Sequence, residues 1–326
     1  MRRRADGRRD RWTQRGRAVP ARLSLQATSH LSTRRRWRGT LLKAPPETPE
    51  CFVDEMTTKA SHRPLLSRLR TIALLVPLAL PALSGCGGAA PTCGPSDSSC
   101  LRVLFVGNSY TYVNDLPGTL ASLAQAGGHT VQTDSLASGG ATLADHIADP
   151  ATAPKLDAVK WDFVVLQEQS ETPSIEASRE YTMYPAVRTL VDMIRQRGET
   201  PILFVTWAHR DGLPDNGMPD YESMQQSIDR GYLAIAAELL APVAPVGVAW
   251  FVVRRQNPDI GLWQDDGSHP STAGTYLAAC VFYAAIFRQS PEGLGFTDGL
   301  SAATAAVLQR AAAVNVLSDP AQWWLP

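Results

Sequence analysis

The sequence predicts an α/β protein, a three-layer α/β/α sandwich built on a mostly parallel five-stranded sheet. Three observations carry that prediction. Residues 101–326 alternate short apolar runs with longer amphipathic stretches, as repeated strand-helix-strand units do. The apolar runs are continuous, which suits strands buried on both faces. Gly or polar residues close the runs, and open parallel sheets bind ligands at the carboxyl ends of their strands.

Residues 101–106 (Leu-Arg-Val-Leu-Phe-Val) form a first strand, closed by Gly107. The amphipathic stretch 116–126 is a helix with a glycine stop at Gly127 and Gly128. Residues 129–136 read as the second strand, 161–166 as the third and 201–207 as the fourth. Between the last two lies a helical pattern over 176–197, stopped at Gly198. A helix over 221–240 precedes a fifth strand near 243–251, and two helices, 272–288 and 301–316, complete the chain. The pattern contains no internal repeat, heptad or membrane span.

Charge divides the chain. The whole sequence has 31 basic and 31 acidic residues, yet residues 1–85 hold 18 Lys and Arg against 6 Asp and Glu, a net of +12. The remainder carries −12. An Arg-rich segment such as 1–55 could be a nucleic-acid-binding arm, a transit peptide, an unstructured leader or the product of an early start codon. Residues 56–86 decide between these. After Met56 come Lys59, Arg63, Arg68 and Arg70, then the apolar run 71–83, then Ser84-Gly85-Cys86. A basic region, an apolar region and small residues before a cleavage point make a secretory signal over 56–85. The run is short and broken by Pro77 and Pro81, whereas a bilayer span needs about 20 apolar residues.

Leu83-Ser84-Gly85-Cys86 resembles the lipobox of bacterial lipoproteins. The resemblance implies lipidation of Cys86 and a membrane-anchored domain facing the periplasm or the cell exterior. Residues 86–100, rich in Gly, Pro and Ser, then form a tether, with 101–326 as the folded domain. Cys93 and Cys100 are candidates for a disulfide in such a compartment. Cys280, in an apolar helical stretch, reads as an inert core thiol.

Two local patterns carry chemistry. Ser109 comes directly after the first strand in Gly107-Asn108-Ser109, where Gly permits a tight turn and the Ser opens a helix. Alone, that arrangement is as compatible with a helix cap or a phosphate-binding turn as with a nucleophile. Asp266-Gly267-Ser268-His269 places a carboxylate three residues before a His, so that the acid can hold one ring nitrogen while the other takes a proton. Asp265 is the neighbouring rival to Asp266.

These residues resemble the SGNH branch of the GDSL-type hydrolases over most of 101–288. Gly107-Asn108-Ser109 is similar to the family's Gly-Asp-Ser, with Asn in place of Asp, and Asp266 to His269 matches its Asp-x-x-His. Ser138-Gly139-Gly140-Ala141-Thr142 resembles the block with the oxyanion glycine, in a register that points to Gly140. Where the family has Gly-x-Asn-Asp, this chain has Gln167-Glu168-Gln169-Ser170 after the third strand, with Gln169 in register for the Asn and Gln167 on the same strand face. The resemblance implies a flavodoxin-like sheet and a serine esterase for short acyl, foremost acetyl, esters. Ser109, His269 and Asp266 would be its triad, and the Ser109 amide, Gly140 and Gln169 its oxyanion hole. Asn108, Gln167 and His209 are candidate pocket residues. The substrate would be a small-molecule or carbohydrate ester. An acyltransferase with the same triad and a silent ligand-binding lipoprotein are the alternatives.

Other chemistries lack support. The sequence has no His-Glu-x-x-His, paired Cys-x-x-Cys, phosphate loop or Gly-x-Gly-x-x-Gly, so no metal, nucleotide or other cofactor is expected. The acidic domain is a poor nucleic-acid partner. Trp207, Trp250 and Trp263 read as core, and His146 as a packed or surface residue of a helix.

Overall fold

Val103, Leu104, Phe105 and Val106 offer water no polar face on either side, and they form the buried centre of β1 (Cys100–Gly107). The computed structural model describes Cys93, Gly94, Asp97 and residues 99–325. The expected leader 1–55, the signal peptide 56–85, Cys86 and most of the tether 86–100 lie outside the described residues.

Four further strands join β1: β2 (Thr130–Ala137), β3 (Phe163–Leu166), β4 (Thr200–Phe204) and β5 (Val243–Ala244). All pair in parallel, in the order β2-β1-β3-β4-β5. Because β1 pairs with β2 on one side and β3 on the other, the chain leaves the sheet in opposite directions beside it. Such a switch point opens a crevice at the carboxyl end of the strand, just beyond Gly107. At its amino end β1 is tied by a disulfide between Cys93 and Cys100.

The connections are helical: α1 (Ser109–Tyr112), α2 (Leu116–Ala126), α3 (Leu143–Ala148), α4 (Thr152–Asp157), α5 (Glu176–Ser178), α6 (Tyr184–Gln196), α7 (Tyr221–Leu239), α8 (Val246–Gln256), α9 (Thr272–Phe287) and α10 (Ala302–Leu317). α2, α8 and α10 pack around α9 in one layer, while α3, α6 and α7 adjoin one another in the other. α9 is apolar on every side, and all of its residues from Ala273 to Ile286 are buried. Phe282 from α9 meets Phe105 and Phe204 edge-on, at centroid distances of 5.3 and 4.9 Å, joining helix to sheet. Cys280 is a free, buried thiol whose pKa burial pushes up, as an inert core residue requires.

Three expectations change. The strand expected over 243–251 is a two-residue strand followed by α8, in which Val246, Ala249, Trp250 and Val253 form a buried helical stripe. The run is rich in valine, but its burial repeats at helical spacing, and packing overrides propensity. β4 ends at Phe204 instead of 207, because Gly247 at the start of α8 donates to Val205 O at 2.9 Å and turns the chain away from the ladder. The stretch expected as one helix over 176–197 is interrupted by a π-helical turn, Arg179–Met183. Among the described residues no helix is long and apolar enough to cross a membrane.

Candidate active site

The turn after β1 is built by close backbone approach. A Cβ on Gly107 would collide with the side chains of Gln167 and Thr111, so only glycine fits there. Asn108 caps α1 by accepting from Tyr110 N at 3.1 Å. Its own amide nitrogen donates to Gln167 Oε1 at 2.9 Å, and its side-chain Nδ2 reaches Ala141 O at 2.9 Å. Ser109 is thereby presented at the helix entrance, partly exposed, with its hydroxyl turned to His269.

His269 lies 160 residues further along the chain and comes from the turn before α9. Its Nε2 is 2.9 Å from Ser109 Oγ, and its Nδ1 is 2.6 Å from Asp266 Oδ2. The other carboxylate oxygen of Asp266 accepts from the amides of Ser268 and His269, each at 2.9 Å. Burial raises the Asp266 pKa, but those two amides and the imidazole together outweigh it, and the carboxyl sits below its usual range. Asp266 is therefore ionised at neutral pH and holds the ring by one nitrogen. Asp265, the neighbouring carboxylate, is exposed and makes no hydrogen bond to His269 among the described residues.

Aromatic packing holds this turn. Trp207 Nε1 donates to Ser268 O at 2.9 Å, and the Trp207 ring is stacked between Tyr110 at 4.5 Å and Trp250 at 4.2 Å. The Tyr110 hydroxyl and Ser268 Oγ are 2.8 Å apart, and the Tyr110 ring meets His269 edge-on at 5.8 Å. Trp207 and Trp250 are fully buried and belong to the core.

The loop 138–142 lies against the same turn through Asn108 and Ala141. Gly140 sits at φ +72°, a left-handed conformation that suits glycine, and is exposed. Neither the Ser109 nor the Gly140 amide finds an acceptor among the described residues.

The two glutamines after β3 differ sharply. Gln167 is fully buried; its Nε2 donates to Asn108 Oδ1 and Glu168 O, and its Oε1 accepts from Asn108 N and Thr111 Oγ1. Both amide hydrogens are engaged, so Gln167 supports the turn that presents Ser109. Asn108, 2% exposed, does the same, and neither lines a pocket. Gln169 is partly exposed, and its Oε1 accepts from Glu171 N, Thr172 N and Thr172 Oγ1. Three donors on that oxygen leave the NH2 group with one bond, to Ser170 Oγ at 3.3 Å, and one hydrogen unengaged.

His209 lies 3.2 Å from Ser170 Oγ, and burial lowers its pKa, so the ring is neutral at pH 7. Two supporting residues escaped sequence reading. His146 is buried on α3 and its Nε2 lies 2.7 Å from Gly107 O. Glu168 is fully buried at the end of β3. A charged residue two positions after an apolar strand is the signal the sequence offers for the latter. Among the described residues no group of three His, Cys, Asp or Glu side chains is placed to hold a metal.

The chain is similar to several solved structures. A protein from Slackia heliotrinireducens assigned to the SGNH hydrolases is 32% identical, with 56% of this chain and 97% of that one covered and a TM-score of 0.48. A DUF4886 family protein from Bacteroides uniformis is 22% identical, with 68% of this chain and 96% of that one covered and a TM-score of 0.60. A variant of an acetyl xylan esterase from Geobacillus stearothermophilus is 20% identical over 56% of this chain and 93% of its own, with a TM-score of 0.44. No family model and no curated protein matches the sequence.

Proposed function

We propose that this chain is a serine esterase of the SGNH hydrolase type that cleaves short-chain acyl esters. The observation that carries the reading is the unbroken chain from Ser109 Oγ through the His269 ring to Asp266, at 2.9 and 2.6 Å. It joins a hydroxyl, a base and a fixed carboxylate in the order acyl transfer needs.

Ser109 Oγ attacks the ester carbonyl carbon while its proton passes to His269 Nε2. The carbonyl oxygen becomes an oxyanion facing the Ser109 and Gly140 amides and the unengaged hydrogen of the Gln169 NH2, which takes the place of the family's Asn on a longer arm. Collapse of the tetrahedral species breaks the ester C–O bond, and His269 returns the proton to the departing alkoxide. Water, activated by the same nitrogen, then releases the acid from the acyl-enzyme. Asp266 holds the Nδ1 proton and stabilises the imidazolium in both halves.

Polar side chains surround the site: Ser268, Ser170, neutral His209 and the Tyr110 hydroxyl. Such neighbours favour a small acyl group, acetyl foremost, on a hydroxylated leaving group such as a carbohydrate. The same reading makes the domain a lipoprotein anchored through Cys86, facing the periplasm or exterior. The motif over 56–86 supports that placement. Intact-mass analysis of membrane-extracted protein would overturn it by finding an unmodified Cys86 within a continuous chain.

The test of activity is a panel of acetyl, butyryl and longer esters, with a serine-reactive phosphonate as a second readout. Turnover highest on acetyl and labelling at Ser109 are the expected results. A folded protein that does neither overturns the esterase reading.

A further inference from the structure

We propose that Glu168 is a positioning residue that sets the two sides of the oxyanion hole relative to each other. The inference rests on the esterase reading and adds to it a residue that touches neither substrate nor triad.

Glu168 is fully buried at the carboxyl end of β3. A single oxygen, Oε1, accepts from Leu143 N at 3.2 Å and from Gln169 N at 2.7 Å. Leu143 opens α3 directly after the loop that carries Gly140, and Gln169 carries the side-chain amide with one unengaged hydrogen. One carboxylate oxygen therefore bridges the two segments to which the esterase reading assigns the oxyanion donors. The backbone of Glu168 is itself held, its amide donating to the hydroxyl of buried Tyr232 at 3.0 Å. The second oxygen, Oε2, is buried with no partner among the described residues.

Support for the fold alone would be an odd use for this side chain. A buried carboxyl is costly, and an apolar residue of similar size would fill the space more cheaply. What Glu168 contributes is register. The exposed 138–142 loop is otherwise joined to the nucleophile turn through the bond from Asn108 to Ala141 O. Oxyanion donors act on the transition state more than on bound ester, so their misplacement lowers kcat and leaves KM nearly unchanged.

The experiment compares wild type with Glu168→Gln, Glu168→Ala and Glu168→Leu in steady-state hydrolysis of p-nitrophenyl acetate, with thermal unfolding reporting the fold. Gln retains an oxygen at the bridging position and is expected to keep most of the wild-type kcat. Ala and Leu remove the acceptor and are expected to lose kcat by roughly 10²-fold, the size of losing one oxyanion donor, with KM little changed. A folded Ala or Leu variant with wild-type kcat overturns the inference, as does a Gln variant that falls as far as Ala. If Ala and Leu fail to fold, Glu168→Asp withdraws the carboxylate by one methylene, and wild-type kcat there overturns the inference too. Wild-type protein that neither hydrolyses the ester nor reacts with the phosphonate overturns the esterase reading and this inference together. An active wild type with insensitive variants overturns the inference alone.

Discussion

Trp207 Nε1 donates to Ser268 O at 2.9 Å, and that bond ties the segment leaving β4 to the turn that carries Asp266 and His269. The turn is polar and half-exposed, and its own bonds fix His269 relative to Asp266 but not relative to Ser109. The indole supplies one such reference, beside the contact between the Tyr110 hydroxyl and Ser268 Oγ, because its ring is clamped between Tyr110, next to Ser109, and Trp250 in α8.

Trp207→Phe should therefore keep most of the aromatic packing while losing this hydrogen bond. The expected result is a stability loss of about 1–3 kcal/mol, from the unpaired carbonyl and the smaller ring, with a fall in kcat. Chemical denaturation beside ester kinetics checks it. Unchanged kcat in the folded variant would show that the turn holds its register without Trp207.

Ser109→Ala removes the proposed attacking oxygen, and among the described residues the only side-chain bond of that oxygen is to His269. Ester turnover should drop by at least about 10³-fold and phosphonate labelling should vanish, while the unfolding midpoint stays near wild type. Retained turnover in this variant is incompatible with Ser109 as nucleophile.

Asp266→Asn exchanges an anion for an amide at the Nδ1 side of His269. Loss of the correct tautomer and of imidazolium stabilisation predicts a drop in kcat of about 10²- to 10⁴-fold. Asp265→Asn, one residue away and not bonded to His269, should have little effect. Equal losses in the two variants would argue against the pairing.

Glu168 gives stability a defined pH dependence. Burial pushes its pKa up to about 7, charged Asp145 on α3 adds to that, and the Gln169 and Leu143 amides oppose it. The folded state thus holds the Glu168 proton more tightly than the unfolded chain, where a glutamate titrates near 4.3. Its contribution to stability is complete below that value and is lost as pH rises through 7, by about 4 kcal/mol in total. Glu168→Gln cannot titrate, so its stability relative to wild type should rise between about pH 4.5 and pH 8. Urea unfolding at the two pH values measures the change, and a gain that shrinks with rising pH would reverse the assignment.

The Cys93–Cys100 disulfide closes a short loop at the amino end of β1, at the opposite end of the strand from Ser109. Cys93→Ser with Cys100→Ser should lower stability by about 2–3 kcal/mol, the loop-closure contribution for this separation. kcat should not move. A large fall in kcat at a temperature where the variant is folded would show that the amino end of β1 governs the site.

Much of this molecule is written in local sequence. The continuous apolar run 101–106 specifies a doubly buried strand whatever surrounds it, and Gly107 leaves room for the turn that presents Ser109. Asp266 and His269, three residues apart, can meet within one turn because backbone geometry alone brings such positions together. What local rules do not contain is the relation between distant segments. The run from Val246 to Gln256 became a helix because its buried face repeats at helical spacing against α9 and α10, which outweighs the strand preference of its valines. Gln167 and Gln169 both follow β3, two residues apart, and differ in role because Asn108 occupies the amide of one and the 171–172 backbone orients the other. The approach of His269 to Ser109, across 160 residues, and the bridge made by Glu168 depend on sheet order and helix packing. Those are properties of the assembled layers, where the position of each group is set by neighbours that sequence proximity does not supply.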